Sequence, residues 1–108
     1  MDFTNHVALV ALTEEAGRSV IVGGARYVKF KPEQAESAFT VIDKFQGQGI
    51  GAALLRHLVA IAAKSGLREL TADVLPENIA MLKVFRTSGF PCQTSLDAGN
   101  IHITIRVA

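Results

Sequence analysis

The segment Gly47-Gln-Gly-Ile-Gly51 constrains this chain more than any other: three glycines alternate with other residues between a β-branched run and a long run of helical period. Glycine reaches positive φ at little cost, so such a segment can turn neighbouring N–H groups toward one point. A helix starting there adds the positive end of its dipole. The loop is therefore read as an anion site with phosphate as the favoured anion. A loop that only started a helix would seldom retain three glycines against their entropic cost.

The chain on either side supplies the strand and helix that this loop needs. Val7 to Leu12 is a short apolar run, and Thr13 to Ser19 reads as a hairpin turn. Ser19 to Val22 and Ala25 to Phe30 are extended, with Gly23-Gly24 between them marking a bulge or bend. After a turn at Lys31 to Gln34, Glu36 to Asp43 reads as a third strand through Phe39, Thr40, Val41 and Ile42. From Gly49 to Ser65 the apolar residues Ile50, Leu54, Leu58, Ile61 and Ala62 recur at helical spacing, and Gly66 stands where a C-cap glycine belongs. Leu67 to Leu75 is a strand, and Pro76-Glu77-Asn78 opens a second helix that runs through Ser88 and ends at Gly89. Phe90 to Leu96 and Ile101 to Val107 close the chain as a hairpin about Asp97 to Asn100.

The predicted order is β-β-β-α-β-α-β-β, an α/β (α+β) domain. The strand–helix–strand crossover makes Glu36–Asp43 parallel to Leu67–Leu75 in the middle of a mixed sheet with antiparallel flanks. At 108 residues the chain is read as one domain, residues 1–108.

Charge narrows the partners. Eleven Lys and Arg against ten Asp and Glu give a net charge of +1, which argues against nucleic acid as the main partner. The Met1 to His6 segment lacks the basic and apolar regions of a secretory signal, and Ala52 to Ala63 falls short of a membrane span, so no membrane partner is expected. A single cysteine, Cys92, fits a reducing cytoplasm and reads as a packing residue. His6, His57 and His102 are widely spaced and suggest no metal site.

Two phosphate-binding classes fail on detail. A P-loop needs Gly-Lys-Ser/Thr, and Gly51 is followed by Ala52-Ala53-Leu54. The dinucleotide pattern is formally met by Gly47, Gly49 and Ala52, with Asp73 near the expected acidic offset. That fold, however, places the loop after the first strand of a parallel sheet, not after an antiparallel meander.

Gln46-Gly-Gln-Gly-Ile-Gly51, followed by Ala-Ala-Leu-Leu, resembles the Q/R-x-x-G-x-G/A signature of the GNAT superfamily of N-acetyltransferases. Two further segments match in order: Val74-Leu-Pro-Glu-Asn78-Ile-Ala80-Met-Leu resembles the entry to that family's next helix, and Ser88-Gly89-Phe90 its closing Gly-Phe. Arg26-Tyr27-Val28, Ala35-Glu36-Ser-Ala-Phe-Thr40-Val41, Asp43 and Gln46-Gly47 are more narrowly similar to bacterial protein lysine acetyltransferases of the Pat type.

The resemblance implies acetyl-CoA as co-substrate. Its pyrophosphate would lie on the N–H groups of Gln48, Gly49, Gly51 and Ala52, beside Gln46, Gly47 and Ile50. Its pantetheine arm would pair with Phe39, Thr40 and Val41 as a short strand does. Asn78, Met81 and Phe85 on the second helix complete the cofactor set, although Asn78 also reads as a plain helix cap. The implied chemistry is direct attack of a primary amine, a protein lysine first among acceptors, on the thioester. Glu36 would be the general base and the Val41 N–H the oxyanion donor. Many relatives carry a tyrosine as general acid where this chain has Phe85, so the thiolate would take its proton from water. Tyr27, the one tyrosine, reads as a packing or substrate-side residue.

Two other functions remain open on sequence: a non-catalytic acyl-CoA-sensing module and a small-molecule amine acetyltransferase. The family's usual first strand and two helices have no counterpart before Val7, so the chain reads as an N-terminally truncated domain. Val7 to Leu12 would then be a bare apolar edge strand covered by self-association.

Overall fold

The computed structural model describes residues 5–108, so most of the leading segment read above for a secretory signal lies outside the described residues. Six strands form one sheet. They are β1 (His6–Glu15), β2 (Arg18–Lys31), β3 (Gln34–Val41), β4 (Glu69–Val74), β5 (Cys92–Asp97) and β6 (Asn100–Arg106). Helices α1 (Ile50–Lys64) and α2 (Ile79–Arg86) follow β3 and β4, so the predicted element order holds.

The sheet order is β1-β2-β3-β4-β6-β5, and among the described residues β3 and β4 are the one parallel pair. The last strand lies inside the sheet and β5 takes the edge. Burial explains this: Ile101, Ile103 and Ile105 of β6 sit opposite Val74, Ala72 and Leu70, whereas every residue of β5 is exposed. A strand rich in Gln, Thr and Ser suits an edge better than a position walled by neighbours.

The core lies on one face of the sheet. Leu54, Leu55, Leu58, Val59 and Ala62 of α1, with Met81 and Phe85 of α2, pack over Ala25, Tyr27, Ala35, Leu70, Ala72, Ile103 and Ile105. Tyr27 is wholly buried and its hydroxyl donates to Ser65 Oγ at 3.4 Å, which makes it a packing residue. At the end of α1, Gly66 has φ 85° and the Leu67 N–H reaches back to the Ala62 carbonyl at 3.0 Å, the closure for which a C-terminal glycine is suited.

The bulge expected at the paired glycines is present, at Val22 just before them. Gly23 and Gly24 do not break the strand: β2 runs unbroken, and the register slip against β1 falls beside them, where Ala11 faces Gly23 and Leu12 faces Ile21, leaving Val22 as the extra residue. Gly23 is needed for close approach, because a Cβ there would stand 2.8 Å from the Thr40 carbonyl and 3.3 Å from Ile50 Cγ2. The third strand also ends sooner than its β-branched run suggests. Val41 is its last residue, and Asp43–Phe45 coil into a short 3₁₀ turn that delivers the chain to the glycine loop.

The opposite face carries no helix among the described residues. Alternation along β1 places Val7, Leu9 and Ala11 toward the core and Val10 and Leu12 away from it. Val10, Leu12 and Ile21 are 60%, 59% and 59% exposed.

Candidate functional site

The site begins where β3 and β4 part. Their pairing covers only Gln34↔Glu69 to Ser37↔Ala72, yet β3 continues to Val41 and β4 to Val74. The Ile42 N–H is bonded to the Val22 carbonyl on the β2 side. Backbone groups alternate along a strand, so the N–H and C=O of Val41 and Phe39 point the other way, into the fork. The edge that β4 abandons thus presents two N–H donors to whatever enters.

Above the fork lies the glycine loop. Gly47 and Gly49 have φ of 81° and 82°, with open space where a Cβ would stand, so conformation rather than crowding calls for glycine there. Gly51 has a different reason: a Cβ there would meet Val84 Cγ2 at 3.2 Å, and its absence lets α1 cross close to α2. Gly49 caps α1 without a side-chain acceptor, and the first turn holds no acidic residue. The Ala53 N–H bonds back to the Gly49 carbonyl at 3.0 Å, so the N–H groups just before it have no partner within the helix and face outward. Gln46 braces the loop, its Nε2 donating to the Val41 carbonyl at 3.4 Å and to Asp43 Oδ1 at 3.2 Å.

Loop, strand edge and α2 enclose a cleft of about 540 Å³, within the range of small-molecule and cofactor sites. Phe39, Thr40, Val41, Gln46, Gly47, Gly49, Ile50, Gly51, Ala52, Asn78 and Met81, all named from sequence, line it together. Three expected members stand elsewhere. The exposed Gln48 lines no cleft described here. Phe85 is buried, edge-on to Phe39 with ring centroids 5.6 Å apart, and lines a second cleft of about 200 Å³ at the base of the fork. Glu36 lies on the exposed face of β3, level with Thr71 and outside both clefts.

Asn78 holds both roles read for it. Its Oδ1 accepts from the Met81 N–H at 3.2 Å as the cap of α2, and it lines both clefts. Sequence reasoning missed Asp43, Phe45, Ala80, Lys83, Val84 and Thr87 in the larger cleft. A signal for four of them was present, since 80, 83, 84 and 87 have the i, i+3, i+4, i+7 spacing of one helix face. Lys83 is the cation of that lining, whereas nearby Lys44 is paired with Glu15 at 2.7 Å.

A fork between parallel strands that leads away from a glycine-turned helix N-terminus suits a ligand with an anionic end and an amide-bearing arm. The chain belongs to the acetyltransferase (GNAT) family, whose sequence model matches residues 2–90. It superposes on the GNAT domain of the S. lividans protein PAT with a TM-score of 0.81 and 32% identity, covering 98% of this chain and 63% of that one. It is 36% identical over 98 residues to acetyltransferase PA5475 of Pseudomonas aeruginosa, covering 90% of this chain and 53% of the relative. Identity to the acetyltransferase Pat of Mycolicibacterium smegmatis is 34% over 91 residues, 82% of this chain and 27% of the relative. The chain thus spans about half of the first relative's length and about a quarter of the second's.

Proposed function

We propose that this chain binds acetyl-CoA in the larger cleft and transfers the acetyl group to a primary amine, with a protein lysine as the first acceptor to test. The observation that carries the reading is the open edge of β3, running from the glycine loop to the base of the fork. The N–H groups of Gln48, Gly49, Gly51 and Ala52 receive the pyrophosphate, and Lys83 adds charge from the α2 side. The amides of the pantetheine arm pair with Phe39 and Val41, whose N–H groups are also the donors available to a thioester oxyanion.

An alkylammonium with a reference pKa of ~10.4 must lose a proton before its nitrogen can attack. Glu36 takes that proton from the open face of β3. The neutral amine adds to the thioester carbon, the C–N bond forms, the C–S bond breaks, and the thiolate is protonated by water, because buried Phe85 carries no hydroxyl. Lysine is put ahead of a small amine on the resemblance of Ala35-Glu36-Ser-Ala-Phe-Thr40-Val41 to the Pat-type protein lysine acetyltransferases.

The test is thiol release from acetyl-CoA by the chain with lysine peptides, alongside calorimetric binding of acetyl-CoA. Turnover that falls at least tenfold in Glu36→Gln, with binding intact, supports the reading. Tight binding with no thiol release in the unmutated chain would identify a non-catalytic acyl-CoA module instead.

The edge of β1 fits a second copy of the chain. Antiparallel self-pairing would set Glu14 and Glu15 of one copy near His6 of the other and bring Val10 and Leu12 together at the centre. Light scattering at micromolar concentration should return a dimer, and Leu12→Lys should return a monomer.

A further inference from the structure

Asp73 and His102 are cross-strand neighbours on β4 and β6, and Asp73 Oδ1 lies 2.8 Å from His102 Nδ1. Both side chains are partly open to solvent, at 44% and 34%. The pair stands on the face of the sheet opposite the core, in the same row as Ser95 of β5. Asp73 also lines the smaller cleft at the base of the fork, together with Ala38 and Phe39 of β3, and this cleft shares Phe39, Asn78 and Met81 with the larger one. Asp73 thus borders the cleft next to the open edge of β3 while its hydrogen-bond partner His102 stands beside it on the far face.

Proton counting gives the pair a task. The attacking nitrogen begins as an ammonium with three N–H bonds and ends as a secondary amide with one, so two protons leave it in each turnover. One precedes attack and the other leaves as the C–N bond forms. A single carboxylate cannot accept both without discharging in between. Glu36 and Asp73 flank the base of the fork from its two strands, with Cα atoms roughly 8 Å apart from the spacing of paired strands and two residues of rise.

On the acetyl-transfer reading above, we infer that His102 is a second proton acceptor for the amine and that Asp73 positions it. An ionised carboxylate can only accept, so the contact requires Nδ1–H to donate to Asp73, which leaves the Nε2 lone pair free for the amine proton. His102 Nε2 takes the proton released as nitrogen adds to the thioester carbon, and then passes it to solvent. Among the described residues, the other charged groups on this face of the sheet include Glu36 of β3, Arg26 of β2, Asp97 of β5 beyond Ser95, and the paired Glu69 and Arg106 further along β4 and β6.

The test compares His102→Gln, Asp73→Asn and Asp73→Glu with the unmutated chain, using thiol release with a lysine peptide across pH and acetyl-CoA binding by calorimetry. His102→Gln should lower kcat on the order of 10²-fold, leave acetyl-CoA affinity within twofold, and remove one ionisation from the acid side of the kcat/KM profile. Asp73→Asn should move the profile in the same way with a smaller fall, Asp73→Glu should recover part of it, and ¹⁵N spectra should show the Nδ1–H tautomer of His102 lost in Asp73→Asn. Unchanged turnover and pH profile in His102→Gln would overturn this inference and leave acetyl transfer standing. No thiol release with any amine in the unmutated chain would overturn both.

Discussion

Replacing Gly23 by alanine tests the junction that sets the fork. The added Cβ would stand 2.8 Å from the backbone carbonyl of Thr40, 3.3 Å from Ile50 Cγ2 and 3.4 Å from Leu54 Cδ1. A carbonyl in a strand cannot swing aside as a side-chain tip can, so β3 or the start of α1 must give by some tenths of an ångström. Overpacking of this kind costs about 1–3 kcal/mol, of which about 0.5–1 kcal/mol is regained because alanine restricts the unfolded chain. A net loss of about 1–2 kcal/mol lowers Tm by roughly 5–15 °C in a domain of this size. The neighbouring substitution is the control: Gly24→Ala meets only the Leu9 carbonyl at 3.4 Å, an ordinary contact, and should be neutral or slightly stabilising. Thermal and urea unfolding of both variants would measure the difference, and acetyl-CoA titration should show weakened binding in Gly23→Ala alone. Equal stability of the two variants would refute the argument that the close approach of the Thr40 carbonyl and of α1 requires glycine at 23.

Gly49→Ala places a side chain in open space but at φ 82°. It should cost about 1–2 kcal/mol in strain and weaken acetyl-CoA binding about tenfold as the loop N–H groups turn away, measured by calorimetry. Asn78→Ala removes the cap of α2 and about 1 kcal/mol of stability; Asn78→Ser should restore the melting temperature without restoring acetyl-CoA affinity, if the amide nitrogen reaches the ligand. Although Cys92 is exposed as a residue, partial shielding of its sulfur from water pushes the thiol up against the opposing hydrogen bond with Ser88. The folded chain thus holds that proton more tightly than the unfolded one, a contribution to stability present below the unfolded thiol's pKa and lost as pH rises through the raised value. Iodoacetamide should label Cys92 more slowly than a free thiol at pH 8 and gain on it only at higher pH, whereas rapid labelling at neutral pH would contradict this.

Much of the site was legible because its signals are local. The glycine spacing, the apolar stripe of α1, Gly66 past its end and the Asn78 cap each act within a few residues, and each stands in the structure at or within a residue or two of its predicted place. The errors share a cause. Val7 to Leu12 is apolar at every position, so it carries no alternation from which a buried and an open face could be told apart. Ile42 and Asp43 continue a β-branched run, but the strand stops where its pairing partner stops. Gly23-Gly24 announces the bulge, but not the close approach of Thr40 and Ile50 that also calls for glycine at 23.

Chain order and chemical character were therefore determined by the sequence itself: a meander, one crossover, a glycine-turned loop and a second capped helix. Their physics is short-range hydrogen bonding, backbone freedom and side-chain periodicity, which the chain carries wherever it goes. Tertiary structure alone decided that β6 would lie between β4 and β5, that β3 and β4 would separate after Ser37 and Ala72, and that Asp73 and His102 would meet. Those outcomes depend on which distant strands bury their apolar faces together. A fork in a sheet is a contact that is not made, and no run of neighbouring residues can announce it.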